Sequence, residues 1–221
     1  MRPAAGKQVV FPREMCYNRP VESGLDRGHK GEIQLDAIMQ FDSSILLWIQ
    51  DNLRLDFLSP VVKVITHLGD KGALWILLTL ALLIIRKTRP IGMRCAVAMV
   101  IGLLVTNLVI KNWVARIRPY EVIPGLQCIV ALADDWSFPA GHTTNSLACA
   151  WVLFRCAPRK YGVPALVMAI LISLSRLYVG IHYPTDVLGG AVIGLCSACL
   201  ALWLVPKAEK KLPIVDRVYK L

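Results

Sequence analysis

The chain is short of the residues that make a soluble surface. Only 18% of its 221 residues are charged, and 56% are apolar. Soluble domains are about 45–50% apolar even with Gly counted, so an ordinary soluble fold is excluded. Acidic residues are the scarcest charges: 15 Asp and Glu stand against 25 Lys and Arg, a net +10. Such a balance suits nucleic acid or a membrane face. No basic stripe accompanies a soluble fold, so nucleic acid is not an expected partner. The Lys and Arg read instead as groups at the membrane surface. No apolar stretch follows the basic start, so no cleavable signal peptide is expected.

Other absences narrow the reading further. Cys196 and Cys199 form a C-x-x-C without a second pair, which argues against zinc or redox chemistry. Most of the seven Cys lie in apolar runs, where Cys is a small hydrophobe. A bridge between Cys16 and Cys128 outside the membrane stays open. No internal repeat is visible, which weakens a transporter reading.

What is present is long apolar sequence, with a mean hydropathy of +0.54. Five apolar segments centre on 72–86, 91–113, 142–156, 162–180 and 187–206. The last, VLGGAVIGLCSACLALWLV, is long enough to cross a hydrocarbon core of about 30 Å. Its small residues suit close helix packing in lipid. Segment 41–67 is helical in pattern but holds Asp51, Arg54, Asp56 and Lys63. Each central charge costs roughly 2.5–3.5 kcal/mol to insert, so an amphipathic pair of helices at the interface is expected, with a sixth span as the alternative. The fold class is therefore all-α, a polytopic bundle of five spans. The expected organisation is a flexible basic tail at 1–33, an interfacial segment at 34–70, a transmembrane core at 71–207 and a cytoplasmic basic tail at 208–221. Basic residues gather in the links 86–94 and 155–160 and after 206. The positive-inside rule makes that side cytoplasmic. Loops 114–141 and 177–186 then face outward.

Three polar clusters map to that outward side. In KNWVARIRP, Lys111 and Arg118 are seven residues apart, which places them on one helical face. Read alone, this is interfacial snorkelling. In SFPAGH, Pro139 and Gly141 shape a turn and His142 opens the next helix, whose free amides and dipole favour an anion. In SRLYVGIHYPTD, Arg176 ends one span, His182 precedes Pro184, and Asp186 falls in the first turn of the last helix. A carboxylate behind an imidazole fixes its tautomer and raises its basicity. Together, three cations, two His and one Asp converge on one membrane face, where ionisable groups are costly and usually functional. Cations suit the equatorial oxygens of a phosphoryl group in transfer.

The ordered set K-x6-RP, SFPAGH and SR-x5-H-x3-D, spanning 111–186, resembles the three-part signature of the type 2 phosphatidic acid phosphatase family. The resemblance implies a cofactor-free, metal-independent phosphatase acting on lipid phosphates. It implies His182 as nucleophile, Asp186 as its orienting partner and His142 as the acid that protonates the leaving oxygen. Lys111, Arg118, Arg176 and the amides of Gly141 and Ala140 would hold phosphate, with Arg116 as a further cation for diphosphates. The family's usual Ser is Ala at position 140, which removes one hydroxyl donor. Expected partners are a lipid phosphate substrate and the surrounding membrane lipids. Candidate substrates are undecaprenyl diphosphate, phosphatidic acid and phosphatidylglycerol phosphate. The expected location is a cell membrane with the site on the extracytoplasmic face. Rival readings are a phosphotransferase on the same scaffold, a small membrane transporter and a non-catalytic lipid-binding relative.

Overall fold

A computed structural model describes residues 28–211. The stretch Ile38–Leu221 is one compact unit, and Met1–Ala37 is a separate one, of which only the first turns of a helix are described. Cys16 and most of the expected tail at 1–33 lie outside the described residues, as does 212–221. All regular structure among the described residues is helical. In chain order the helices are α1 (Gly28–Leu53), α2 (Leu58–Leu68), α3 (Ala73–Ile84), α4 (Arg89–Leu103), α5 (Lys111–Val114), α6 (Pro119–Val122), α7 (Gly141–Cys156), α8 (Arg159–Tyr178) and α9 (Pro184–Lys211). Pro stands in the first turn of α4, α6 and α9, where its missing N–H costs nothing.

Among the described residues, three stretches are long and apolar enough to cross a membrane: Arg89–Val122, Arg159–Tyr178 and Pro184–Glu209. A fourth arises if α2 and α3, bent by 45° at their junction, count as one span. The bend follows from left-handed backbone at Lys71 (φ 51°) and Gly72 (φ 71°), a region Gly enters freely. Thus α2, expected at the interface, packs along α8. Ser59 meets Tyr178 at 2.9 Å, and further along α2 the Arg176 guanidinium donates to Thr66 at 2.5 Å.

Helix α7 has 16 residues, about 24 Å at the helical rise, and falls short of that length. It is the central helix, enclosed by α4, α8 and α9. Ala148, Cys149, Ala150 and Val152 are fully buried on it. Trp75 of α3 is tied to it by an indole N–H donating to Ser146 at 2.8 Å. Cys196 and Cys199 point outward from α9 as free thiols, in keeping with small lipid-facing hydrophobes. Cys128 is also free and donates to the Val130 carbonyl at 3.3 Å.

The helices share a sense of direction that positions the site. At one end of α4, α7 and α9, Arg94 pairs with Glu209 at 3.7 Å and approaches Cys156 at 4.0 Å. His142 and Asp186 stand at the opposite ends of α7 and α9, and Lys111 stands beyond the opposite end of α4. Gly190 and Gly194 let α9 lie against the start of α7. A Cβ on Gly194 would sit 2.6 Å from the Thr144 carbonyl, and one on Gly190 2.6 Å from the Ala140 carbonyl. Both obstacles are backbone and cannot swing away. Gly194→Val is therefore expected to destabilise the protein by about 1–3 kcal/mol, read as a lower melting temperature in detergent. Val192→Ala, on the exposed face of the same helix, is expected to stay within about 0.5 kcal/mol. Equal melting of the two variants would contradict this account of α7–α9 packing.

Candidate active site

Asp186 organises the site. It is fully buried in the first turn of α9. Its Oδ2 accepts from Ser137 Oγ at 2.5 Å and from the Tyr183 amide at 2.9 Å, and lies 3.4 Å from His182 Nδ1. Its Oδ1 accepts from Arg116 Nη1 at 2.7 Å. The His182 ring, on the short turn before α9, is itself buried. Burial, then the positive charges of Arg118 and Arg176, lower its pKa to about 4 against the pull of Asp186. The imidazole is thus neutral at physiological pH. With Nδ1–H directed at the carboxylate, Nε2 keeps its lone pair.

Arg116 is spent within the scaffold. Its Nη2 donates to Asp42 Oδ2 of α1 at 2.7 Å, and its Nη1 also donates to Thr185 Oγ1 at 2.7 Å. Its guanidinium lies 3.8 Å over the Tyr183 ring. The role expected for it, a spare cation for diphosphates, is overturned because both of its ends are already bound to carboxylates. Asp42 is fully buried and also accepts from the Thr185 amide at 3.2 Å. Asp42, Arg116 and Asp186 thus form one buried ion chain that holds α1 against the first turn of α9.

Lys111 and Arg118 do meet, but not on one helical face. The chain widens into a π-helical turn over Leu104–Ile110, and α5 ends at Ala115 in left-handed backbone (φ 46°). Arg118 is extended (ψ 151°) ahead of Pro119, as the residue before Pro prefers. The two buried side chains come together on a third residue. Lys111 Nζ donates to Asp135 Oδ2 and Arg118 Nη2 to Asp135 Oδ1. Arg118 also donates to the Asp135 carbonyl at 2.7 Å and the Ile181 carbonyl at 2.9 Å, next to His182. Burial opposes ionisation of Asp135, but the hydrogen bonds and charges of Lys111 and Arg118 win and hold its carboxyl below the ordinary range.

His142 and Arg176 form the remaining side. His142 Nε2 lies 3.1 Å from Asp70 Oδ1, and Arg176 Nη1 lies 3.7 Å from the same oxygen. Asp70 is presented by the bend between α2 and α3, where a Cβ on Gly69 would come 3.0 Å from the His142 ring. Arg176 Nε is buried and has no hydrogen-bond partner among the described residues. Gly141 opens α7, whose N-terminus has no side-chain cap. Ala140 differs from expectation: its amide donates to the Asp186 carbonyl at 3.1 Å and so is not free for phosphate.

All the residues singled out from sequence therefore surround one place, and four more join them: Asp42, Asp70, Asp135 and Ser137. The signals for these were faint. Asp42 is an acid inside an apolar helix, Asp70 sits in a GDKG break before an apolar run, Asp135 lies two residues before the SFPAGH stretch, and Ser137 is the first residue of that stretch.

Two outcomes test this geometry. Arg116→Ala strands Asp42 and Asp186 as buried unpaired charges and is expected to destabilise by about 3–5 kcal/mol, with Arg116→Lys intermediate in thermal melting; a wild-type melt for Arg116→Ala would refute the ion chain. Because the folded pKa of His182 lies below its ordinary 6.5, its neutral form is favoured by folding, and this stabilisation is lost as pH falls from about 6.5 towards 4. In histidine-labelled protein, the resonance that disappears in His182→Gln is expected to titrate near 4; titration near 6.5 would contradict the buried His182–Asp186 pair.

The chain is 33% identical over 120 residues to an undecaprenyl-diphosphatase of Sulfolobus acidocaldarius, covering 54% of this chain and 58% of that protein. It is 32% identical over 174 residues to phosphatidylglycerophosphatase B of Bacillus subtilis, covering 72% and 79%. The chain thus spans only about half the length of some curated relatives it matches. Its fold superposes on the crystal structure of the transmembrane PAP2-type phosphatidylglycerolphosphate phosphatase from Bacillus subtilis with a TM-score of 0.62 at 28% identity, over 82% of this chain and 90% of that one. Its membrane-length helices and these relatives make it a multi-pass membrane protein. Residues 92–210 match the model of the PAP2 superfamily, and the chain belongs to that superfamily.

Proposed function

We propose that the protein hydrolyses the terminal phosphate of a membrane lipid through a phosphohistidine on His182, without a metal. The observation that carries this reading is a buried, neutral His182 backed by Asp186 and lying beside Arg118 and Arg176. His182 Nε2 attacks phosphorus while the bond to the leaving oxygen breaks. Its electron pair goes to that oxygen, and His142 supplies the proton. His142 then takes a proton from water, the hydroxide attacks the phosphohistidine, and phosphate leaves. Lys111, Arg118, Arg176 and the Gly141 amide hold the phosphoryl oxygens. The unpartnered Arg176 Nε supports that assignment, since a buried guanidinium donor is costly to leave unpaired.

The substrates favoured are undecaprenyl diphosphate first, then phosphatidylglycerol phosphate and phosphatidic acid, by analogy with the activities in the relatives' names. An apolar cavity of about 660 Å³ between α3 and α8 is lined by Leu74, Leu78 and Met168 and runs to Thr88, Pro158 and Lys160, at the end away from the site. We further propose five crossings: the bent α2–α3 pair, α4 with α5, α7, α8 and α9. Arg94 and the basic links lie at one end and the site at the other, which favours an extracytoplasmic site.

Phosphate release from these three lipids tests the reading. Wild-type protein is expected to release phosphate in excess chelator and to be inhibited by vanadate. His182→Ala is expected to abolish release, and His142→Ala to lower kcat by about 10²–10⁴. Wild-type rates in His182→Ala would overturn it.

A further inference from the structure

The Lys111–Arg118 pair is already neutralised in the protein itself. Both cations bond the Asp135 carboxylate, one to each oxygen, as they would two oxygens of a phosphoryl group. The pairing is lopsided. Lys111 and Arg118 are 7% and 3% exposed, whereas the Asp135 side chain is 54% exposed. The cations are fixed and the anion is at the surface. Asp135 sits in an irregular loop, and the amides between those of Ile129 and Ser137 have no backbone partners among the described residues. It also borders a polar cavity of about 340 Å³ lined by Arg116, Glu121 and Trp136, which gives the side chain room to withdraw. Nothing in the three-part motif requires an acid here, and an acid beside phosphate repels it.

We propose that Asp135 is a specificity-determining residue, an internal anion that occupies the phosphate position on Lys111 and Arg118 and yields only to a doubly charged terminal phosphate. This rests on the reading of that pair as phosphate-holding. The physical reason is a competition between charges. A phosphodiester lipid carries one negative charge, like the carboxylate, and the carboxylate is tethered at the site. A phosphomonoester or a terminal diphosphate carries about 1.5–2 charges and three acceptor oxygens. Attraction to the two cations scales with that charge. Asp135 therefore excludes the singly charged head groups that crowd a membrane while admitting the substrate, a case of specificity by repulsion of the wrong ligand.

The test uses the full chain in non-ionic detergent, with phosphatidic acid as substrate, phosphatidylglycerol as singly charged competitor, and calorimetric binding of orthovanadate as a readout independent of turnover. Wild type is expected to resist phosphatidylglycerol. Asp135→Asn is expected to be inhibited competitively at about tenfold lower phosphatidylglycerol, and to bind vanadate about tenfold more tightly. Asp135→Glu, which keeps the charge, is expected to recover resistance. Unchanged phosphatidylglycerol sensitivity in Asp135→Asn would overturn the proposal. So would weaker binding of both anions, which would make Asp135 a prop for the two cations. If wild type instead bound vanadate but hydrolysed no lipid phosphate, the proposed function would fail, while tighter vanadate binding in Asp135→Asn would still support the competing anion.

Discussion

The buried carboxylate of Asp186 is the constraint on which the rest of the site depends. A carboxylate with no solvent exposure costs several kcal/mol unless its oxygens are satisfied, and here they draw on four chain positions. Ser137 comes from the turn before α7, Tyr183 and His182 from the turn before α9, and Arg116 from the segment after α5. Satisfying one anion therefore fixes the mutual placement of the elements that also supply His142, Arg118 and the His182 ring. Arg116 extends the constraint to α1 through Asp42. A group whose proposed chemical task is to orient one imidazole is also what joins the loops on this face.

The helices below supply the rigid platform that this arrangement needs. Gly190 and Gly194 bring α9 against α7, so that Asp186 and Gly141 begin their helices side by side. The π-helical turn before Lys111 and the left-handed Ala115 redirect the chain, which turns Lys111 and Arg118 onto one point from different backbone conformations. The bend at Gly69–Gly72 does the same for Asp70, delivering a carboxylate beside His142 partway along an apolar pair of helices. The irregular backbone here is the means by which polar groups from separate helices reach one another.

Much of this was legible in the sequence. The long apolar runs gave the all-helical membrane class. The spacing of Lys111, Arg118, His142, Arg176, His182 and Asp186 picked out the groups that gather. What was not legible depends on contacts distant along the chain. Arg116 reads as one more cation until Asp42 and Asp186 are seen at its two ends. Ala140 reads as a free amide donor until the Asp186 carbonyl is found on it. Asp70 and Asp135 carry only a faint local signal, because their partners lie on other elements. The placement of α2 was hidden by Lys63 and by Asp51, Arg54 and Asp56 just before it. Arg54 in fact donates to the carbonyls of Tyr178 and Gln127 at 2.9 and 2.7 Å.

The central claim is chemical: His182 takes up the phosphoryl group. Its most direct measurement is a rapid quench into alkali, where a phosphohistidine survives, after mixing the protein with a lipid phosphate radiolabelled at the terminal phosphorus. The account predicts label on the peptide containing His182, appearing and decaying within one turnover and persisting longer in His142→Ala. Label on another residue, or turnover with no labelled protein at any time, would contradict it.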